Sequence, residues 1–548
     1  MLTILLGLLL SIYHPPVSYE MSLAGNFGEP RSHHFHGGID VKTDGVEGKA
    51  IYAIGDGYVS RVTMGKSGFG NAVYVTHPEG YTSVYCHLRD FSPRIRKAMR
   101  RYQYVHQTND GDARFSPLEC PVSQGQLIAI SGNTGNSSGP HLHLEIHDTE
   151  TWNMLDPCDF IGDYITDTVP PRAHGLMVCP QPGEGICGGS AGKQTFPVKG
   201  DRLNRPLKAW GKVGFALWAD DYMQGSANHF GIRETILIVD GHEVFRADVN
   251  NIPVECNRLV NAWGDYDHWR RNRTWYMKSY LEPGNTLSLL HAVDRGIIDF
   301  AEERDYKLVY ILRDFKGNES RLAFTVRGER AEIPQPAASD LRLFRWNQTN
   351  TYSAPGVQLV VPYGLLAADL RLQPVVRPRA DALSDSYTFT PVSAPLITDG
   401  QLMLYADPMR VEPDAVVRPE IDPAKYYATA NGRYAGGEFR DGWVHAPVRD
   451  LGATFALAYD DTPPTIEVVS TDASRIVVSL NDGQSGVASW CGTLDGQFLV
   501  FDAVEKSSRC VCVLAESPVK PTGQPRRLAF TCTDRCNNST SIETTIIY

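Results

Sequence analysis

His36-Gly37-Gly38-Ile39-Asp40 and, roughly a hundred residues later, His141-Leu142-His143 are the residues of this chain best suited to chemistry. His36 and Asp40 stand four apart; His141 and His143 stand two apart. Alternate residues of an extended strand share a face, so each pair can present both side chains to one side of a sheet. Three of these four groups would supply two nitrogens and one oxygen. That set suits a catalytic zinc that keeps a fourth position open for water. The spacing therefore points to metal-assisted hydrolysis.

The surrounding elements must hold these groups in place. Asn71 to His77 reads as a strand, Pro78-Glu79-Gly80 as a turn, and Tyr81 to Leu88 as the returning strand. On that return Ser83, Tyr85 and His87 share one face, and Val84, Cys86 and Leu88 share the other, which aims His87 away from the apolar side. Gly55-Asp56-Gly57, between Ile51–Ile54 and Tyr58–Val62, is a hairpin signal. Leu127 to Ile130 leads into a Gly-rich run, Ser131 to Gly139. The run contains no Gly-Lys-Ser/Thr, so it does not support a nucleotide site, and its glycines serve to turn the backbone tightly. The sum is a small, curved antiparallel sheet carrying both histidine motifs.

These segments resemble a known family. His36-x-x-x-Asp40, Tyr85-Cys86-His87-Leu88 and Ser131-Gly132-Asn133-Thr134-Gly135 running into Gly139-Pro140-His141-Leu142-His143-Leu144-Glu145 look like the M23 (lysostaphin or LytM type) metallopeptidases. Those enzymes cut peptide bonds in bacterial cell-wall peptidoglycan. The resemblance covers roughly residues 20 to 162, with separated motifs in the right order. It implies that His36, Asp40 and His143 bind one zinc ion and that His87 and His141 are the catalytic histidines, without dividing the roles between those two. No ligand position is substituted, which favours a live enzyme. The expected activity is a zinc-dependent endopeptidase that hydrolyses cross-links or stem peptides of peptidoglycan through a metal-activated water. Two other readings use the same fold: a non-catalytic wall-binding or hydrolase-regulating protein, and a zinc peptidase acting on secreted proteins. The segment's other histidines, His33, His34, His77, His106 and His147, read as surface or supporting residues.

An insertion near 92–122 begins with a helix at Pro93, whose buried stripe would be Ile95, Met99, Tyr102 and Val105. Arg94, Arg96, Lys97, Arg100 and Arg101 make the rest basic. They read as a solvated face, or more sharply as a border of the substrate groove that attracts the carboxylates of peptidoglycan stems.

The fold class is mainly β: a small antiparallel M23 peptidase domain followed by several β-sandwich, immunoglobulin-like domains. Residues 1–18 read as a signal or N-terminal apolar segment, since Met1 to Ile12 is apolar and too short to span a bilayer. The peptidase domain takes 19–165 and a linker 166–204, where Pro170-Pro171 and a Gly/Pro-rich stretch at 180–192 fall. Immunoglobulin-like sandwiches are expected at 205–328 and 465–548, with a further β domain at 340–460. Asp240-Gly241 and Asp495-Gly496 mark hairpins, and Gly317 and Asn537 hold matching turn positions. Asp220-Asp221 with Asn228 could offer oxygens to calcium but reads as a polar surface loop.

The net charge of −11 excludes a nucleic-acid partner, and no segment reads as an integral membrane span. The implied partners are peptidoglycan peptides, with protein partners through the C-terminal β domains. The implied location is outside the cytoplasm, in the periplasm or cell envelope or secreted. Of the eleven cysteines, Cys179 and Cys187 could close a loop, while Cys510 and Cys512 read as small buried hydrophobes.

Overall fold

The structure, a computed structural model, describes residues 13–203, 205–379, 382–407, 422–472 and 474–548. The apolar stretch Met1 to Ile12 lies outside the described residues. Immediately after it, Tyr13 and Val17 are buried in the core of the first domain, and the His14 N–H donates to Ile54 O.

The chain is mainly β, and its first domain is built on one antiparallel sheet. Its strands are β1 (Leu23–Gly25), β2 (Gly38–Lys42), β3 (Gly57–Met64), β4 (Ala72–Thr76), β5 (Tyr81–Cys86), β6 (Gly111–Arg114) and β7 (His141–Asp148). The spatial order is β1-β2-β7-β5-β4-β3-β6. The central strand β7 alternates strictly. Leu142, Leu144 and Ile146 point into the core, each at most 1% exposed, and each such burial stabilises by about 1.5–3 kcal/mol. That fixes the register, and a slip by one residue would turn His141, His143, Glu145 and His147 into the core.

Two strand expectations need correction. The Gly55–Gly57 segment is not a hairpin. Ala50–Tyr52 pairs with Leu127–Ser131 in a separate three-stranded sheet, while β3 pairs with β4 and β6. The faces of β5 are also reversed. Cys86 lies opposite His143 in the ladder, so Val84 and Cys86 sit on the histidine side and pack with Ala72 and Tyr74. Ser83 and Tyr85 turn inward. By alternation His87 would follow them, but its φ of 58° breaks the strand and turns the ring outward. A left-handed non-glycine residue costs about 1–2 kcal/mol, so surrounding contacts must hold it there.

The insertion helix α1 spans Pro93–His106 and buries Ile95, Met99 and Gln103. Val105 is 68% exposed, so the buried stripe runs through Gln103 instead. Gln103 is accommodated because its Nε2 donates to Asn109 O. Two of its cationic side chains face protein rather than solvent. Arg96 Nε donates to Glu516 at 2.9 Å, and Arg100 Nε and Nη1 donate to Glu516 and Asp502, both at 2.7 Å. The last domain thus folds back onto α1.

The expected linker 166–204 contains strands. β8 (Arg172–Cys187) pairs along its length with β9 (Leu207–Asp220), and Gln194–Lys199 pairs on its other side. Pro180 to Gly185, read as linker-like, is a bulge inside β8. The same sheet continues through β11 (Glu319–Gly328), β10 (Asp305–Arg313) and the hairpin Glu234–Val239/His242–Asp248. Asp240 and Gly241 both take positive φ at that hairpin, as do Asp495 and Gly496 later. Gly317 and Asn537 share the left-handed conformation, at φ 84° and 61°.

This second domain and the first domain share a core. Phe27, Phe35 and Met154 pack with Phe245 and Trp263, and Met154–Leu155 pairs with Asn251–Ile252. Beyond it, two five-stranded sheets enclose Leu402, Val444 and Phe455. Two four-stranded sheets then enclose Phe501, Phe530, Cys510 and Cys512. All eleven cysteines, Cys179 and Cys187 included, carry free thiols.

Candidate metal and catalytic site

His36, Asp40 and His143 meet on the outward face of the sheet. β2 and β7 are neighbours, and His143 lies opposite Asp40 in their ladder. His36 precedes β2 rather than lying four steps along it. In a straight strand, positions i and i+4 are about 13 Å apart, yet His36 Nε2 lies 3.0 Å from Asp40 Oδ1. Gly37 and Gly38 make the fold-back between them. A Cβ on Gly38 would sit 2.1 Å from Leu144 O, and one on Gly37 would sit 2.5 Å from Glu145 Oε1.

One ligand atom from each of the three residues lies within 4.8 Å of the others. His143 Nδ1 is 2.9 Å from Asp40 Oδ1 and 2.9 Å from His36 Nε2. All three residues are buried. Two imidazole nitrogens and one carboxylate oxygen are a donor set that fits a zinc-type divalent cation.

His87 and His141 stand beside this triad. Their ring centroids are 4.9 Å apart, and His87 is 5.7 Å from His143. His141 is only partly buried, and its Nε2 lies 3.3 Å from Asp40 Oδ1. The structure therefore brings all five residues named from the sequence into one cluster. His33, His34, His77 and His106 bond or stack elsewhere.

Each ring is oriented by its outer nitrogen. His36 Nδ1–H donates to Asn26 O at 2.6 Å, His87 Nδ1–H to Thr134 O at 2.8 Å, and His141 Nδ1–H to Gly139 O at 2.8 Å. His143 Nε2–H donates to Glu145 Oε1 at 2.9 Å, and Glu145 Oε2 lies 2.6 Å from His147 Nε2. These bonds set the tautomers and leave His36 Nε2, His143 Nδ1, His87 Nε2 and His141 Nε2 facing the centre. The left-handed turn at His87 is secured in this way by the Gly-rich run.

Burial pushes His36 down to about 4. Burial, reinforced by His143 and His141, pushes His87 down to about 3. Burial opposes protonation of His143 too, but the hydrogen bonds to Asp40 and Glu145 outweigh it and raise the ring to about 9. Against the effect of burial, the surrounding histidines hold Asp40 and Glu145 well below the usual carboxylate range.

Sequence reasoning missed four supports. Glu145 continues the alternation His141, His143, Glu145, His147, and that pattern could have found it. Asn26, Arg31 and Phe69 left no such signal. Arg31 Nη2 donates to Asp40 Oδ2 at 2.8 Å, which turns Oδ1 toward the histidines. Phe69 stacks at 6.0 Å on His143, walling one side. Asn26 side-chain atoms exchange hydrogen bonds of 2.8 and 2.7 Å with the Gly231 backbone of the second domain.

Residues 34–110 match the family model for Peptidase family M23, and residues 341–460 match that of a Zu5-like domain. An uncharacterized metalloprotease of Haemophilus influenzae is 36% identical over 112 residues, 20% of this chain and 18% of that protein. The peptidoglycan DD-endopeptidase ShyA of Vibrio cholerae is 30% identical over 137 residues, 24% of this chain and 26% of that protein. A crystal structure of a zinc-containing peptidase from Vibrio cholerae is 28% identical, covering 24% of this chain and 35% of that one, with a TM-score of 0.18. The matched segment is thus about a fifth to a quarter of those relatives' length. With an unbroken two-histidine, one-aspartate triad and two flanking histidines, this chain carries an N-terminal domain that matches peptidase family M23 over residues 34–110.

Proposed function

We propose that this chain is a zinc-dependent endopeptidase that hydrolyses cross-links or stem peptides of bacterial peptidoglycan. The observation that carries the reading is the triad of His36, Asp40 and His143 with His87 and His141 beside it, each with Nδ1 held by a backbone carbonyl and its Nε2 turned toward the triad. Zinc held by the triad would supply Lewis acidity, making water acidic near neutral pH and polarising a scissile carbonyl. His87 and His141 hold their Nδ1 protons on backbone carbonyls, so each Nε2 presents a lone pair. Such a nitrogen can take the proton of an attacking water and return it to the leaving amine. The more accessible His141 meets substrate from the open side, and His87 works from behind it. Glu145 and His147 keep the His143 ring from turning.

The peptidoglycan substrate is supported by the relative whose name assigns it that activity. Action on wall peptides implies export to the periplasm or cell envelope. No helix among the described residues is long and apolar enough to cross a membrane. We read the β domains at 172–328 and 465–548 as immunoglobulin-like modules that frame the peptidase and offer surfaces to partner proteins.

The test is digestion of purified peptidoglycan by the zinc-loaded chain, read by mass spectrometry. New stem or bridge termini that vanish in His141→Ala are expected. Intact muropeptides at every zinc concentration would sink the reading.

A further inference from the structure

We propose that Asp167, Asp221 and Asp314 form a calcium site at the seam between the peptidase domain and the β domain that follows it. Asp167 lies in the segment leading into β8, Asp221 directly follows β9, and Asp314 directly follows β10. One carboxylate oxygen from each lies within 4.8 Å of the others. Asp167, Asp221 and Asp314 are 6%, 0% and 4% exposed. The expected surface loop at Asp220-Asp221 is therefore wrong for Asp221, and Asn228 turns away to donate to Ala24 O.

The oxygens are unequally satisfied. Asp314 accepts from the Lys316 and Asn318 N–H groups and from Asn318 Nδ2. Asp167 accepts from the Val169 N–H on one oxygen, while the other has no partner. Asp221 has no partner on either oxygen. Among the described residues none of the three forms an ion pair with a lysine, arginine or histidine. A buried carboxylate without donors is strongly unfavourable, and three side by side repel one another. A cation answers both difficulties.

The donor set is all oxygen, which selects a hard ion. Calcium accepts about six to eight oxygens in flexible geometry, whereas magnesium demands a near-octahedral shell and keeps several waters. Three carboxylates from separate chain segments, enclosed by protein, match the former.

The C-terminal domain repeats the layout and supplies a contrast. Asp460, Asp482 and Asp534 also cluster, and Asn538 Nδ2 donates to Asp534 at 2.7 Å just as Asn318 Nδ2 does to Asp314 at 2.7 Å. Asp167 and Asp460 each stand three residues before a Pro-Pro pair. In the C-terminal copy, however, both Asp460 oxygens accept backbone N–H groups, and Asp482 accepts two more. Lys425 Nζ also donates to Asn538 Oδ1 there. The first copy lacks these donors around Asp221. Without a cation, burial and repulsion from Asp314 and Asp167 push the Asp221 carboxyl up to about 8. Phe315, next to Asp314 in sequence, and Phe230, bridged to Asp221 through the backbone, pack against the core of the first domain, so an ion here would fasten the two domains together.

The test uses the full chain, stripped by chelator, reloaded with zinc and titrated with calcium chloride in a calorimeter. Thermal unfolding is followed in parallel. Calcium is expected to bind and to raise the melting temperature by several degrees. Asp221→Asn and, separately, Asp167→Asn are each expected to lose one bound equivalent and that upward shift. Failure of the wild-type chain to bind calcium overturns the site. So does unchanged stoichiometry in both variants. So does a chain whose melting ignores calcium while Asp221→Asn melts higher, because the carboxyl would then simply hold a proton. If one variant does not fold, the wild-type response and the other variant decide.

Discussion

Asn26 and Gly231 exchange two hydrogen bonds across the seam between the first two domains, at 2.8 and 2.7 Å. The same Asn26 accepts the His36 Nδ1–H through its backbone carbonyl. The β domain therefore braces His36, a proposed metal ligand, through the Asn26 backbone. Asn26→Ala removes the brace and keeps the carbonyl. Zinc affinity of the full chain should fall about 10-fold or more, within the range seen when partners of ligating histidines are lost. Competition with a chromogenic chelator measures it, and an unchanged affinity would show the brace to be idle.

His141 and His143 differ by two positions and, on this reading, by role. His143→Ala should release zinc. His141→Ala should retain it and lower turnover by about 10²–10⁴-fold, the usual worth of a positioned acid–base group. Bound zinc per chain and muropeptide release, read on the same samples, separate the two. Equal zinc loss in both variants would refute the assignment.

Acid should destabilise the metal-free protein through two buried rings. The folded chain holds His36 near about 4 and His87 near about 3, whereas the unfolded value is about 6.5. Below 6.5 the unfolded chain takes up protons that the folded chain refuses, so stability falls with pH from there through about 4 and toward about 3. His143, raised to about 9, acts oppositely: its contribution is complete below 6.5 and is lost as pH rises through 9. Urea midpoints across pH 4–7 should drop on the acid side, and His87→Gln should flatten that drop. Identical slopes would exclude His87 as a cause.

Arg100 holds the last domain to α1 through Glu516 and Asp502. Hydrogen bonds between charged groups are worth about 1.5–3 kcal/mol each, less here because the site is partly exposed. Arg100→Ala should raise hydrogen exchange in α1 and in residues 497–516 while leaving β7 protected. Uniform protection in both proteins would mean the contact contributes nothing.

The site was more legible than the scaffold. His36, Asp40, His87, His141 and His143 carry rare side chains in ordered motifs, and the structure gathers them in one place. Their path together was not legible. Alternation placed His87 correctly outward for the wrong reason, because a positive φ there cannot be read from Cys86-His87-Leu88. Gly55–Gly57 carries turn chemistry, yet the chain uses it to change sheets. Pro180 and Gly183 look like linker residues but form a bulge, since the pairing of β8 with β9 outlasts them. Arg96 and Arg100 looked solvated because their partners lie some four hundred positions away. Local rules fail where long-range partners decide.

The Gly135 N–H donates to Glu505 Oε2 across 370 positions, beside the carbonyl of Thr134 that orients His87. The rim of the histidine face is thus finished by a residue from a distant part of the sequence. Ribosomes add about 5–20 residues per second, so Glu505 leaves the ribosome roughly 20 to 70 s after the Gly-rich run it finishes. Translation itself then sets the order of assembly, with the histidine strands synthesised well before the segment that closes over them.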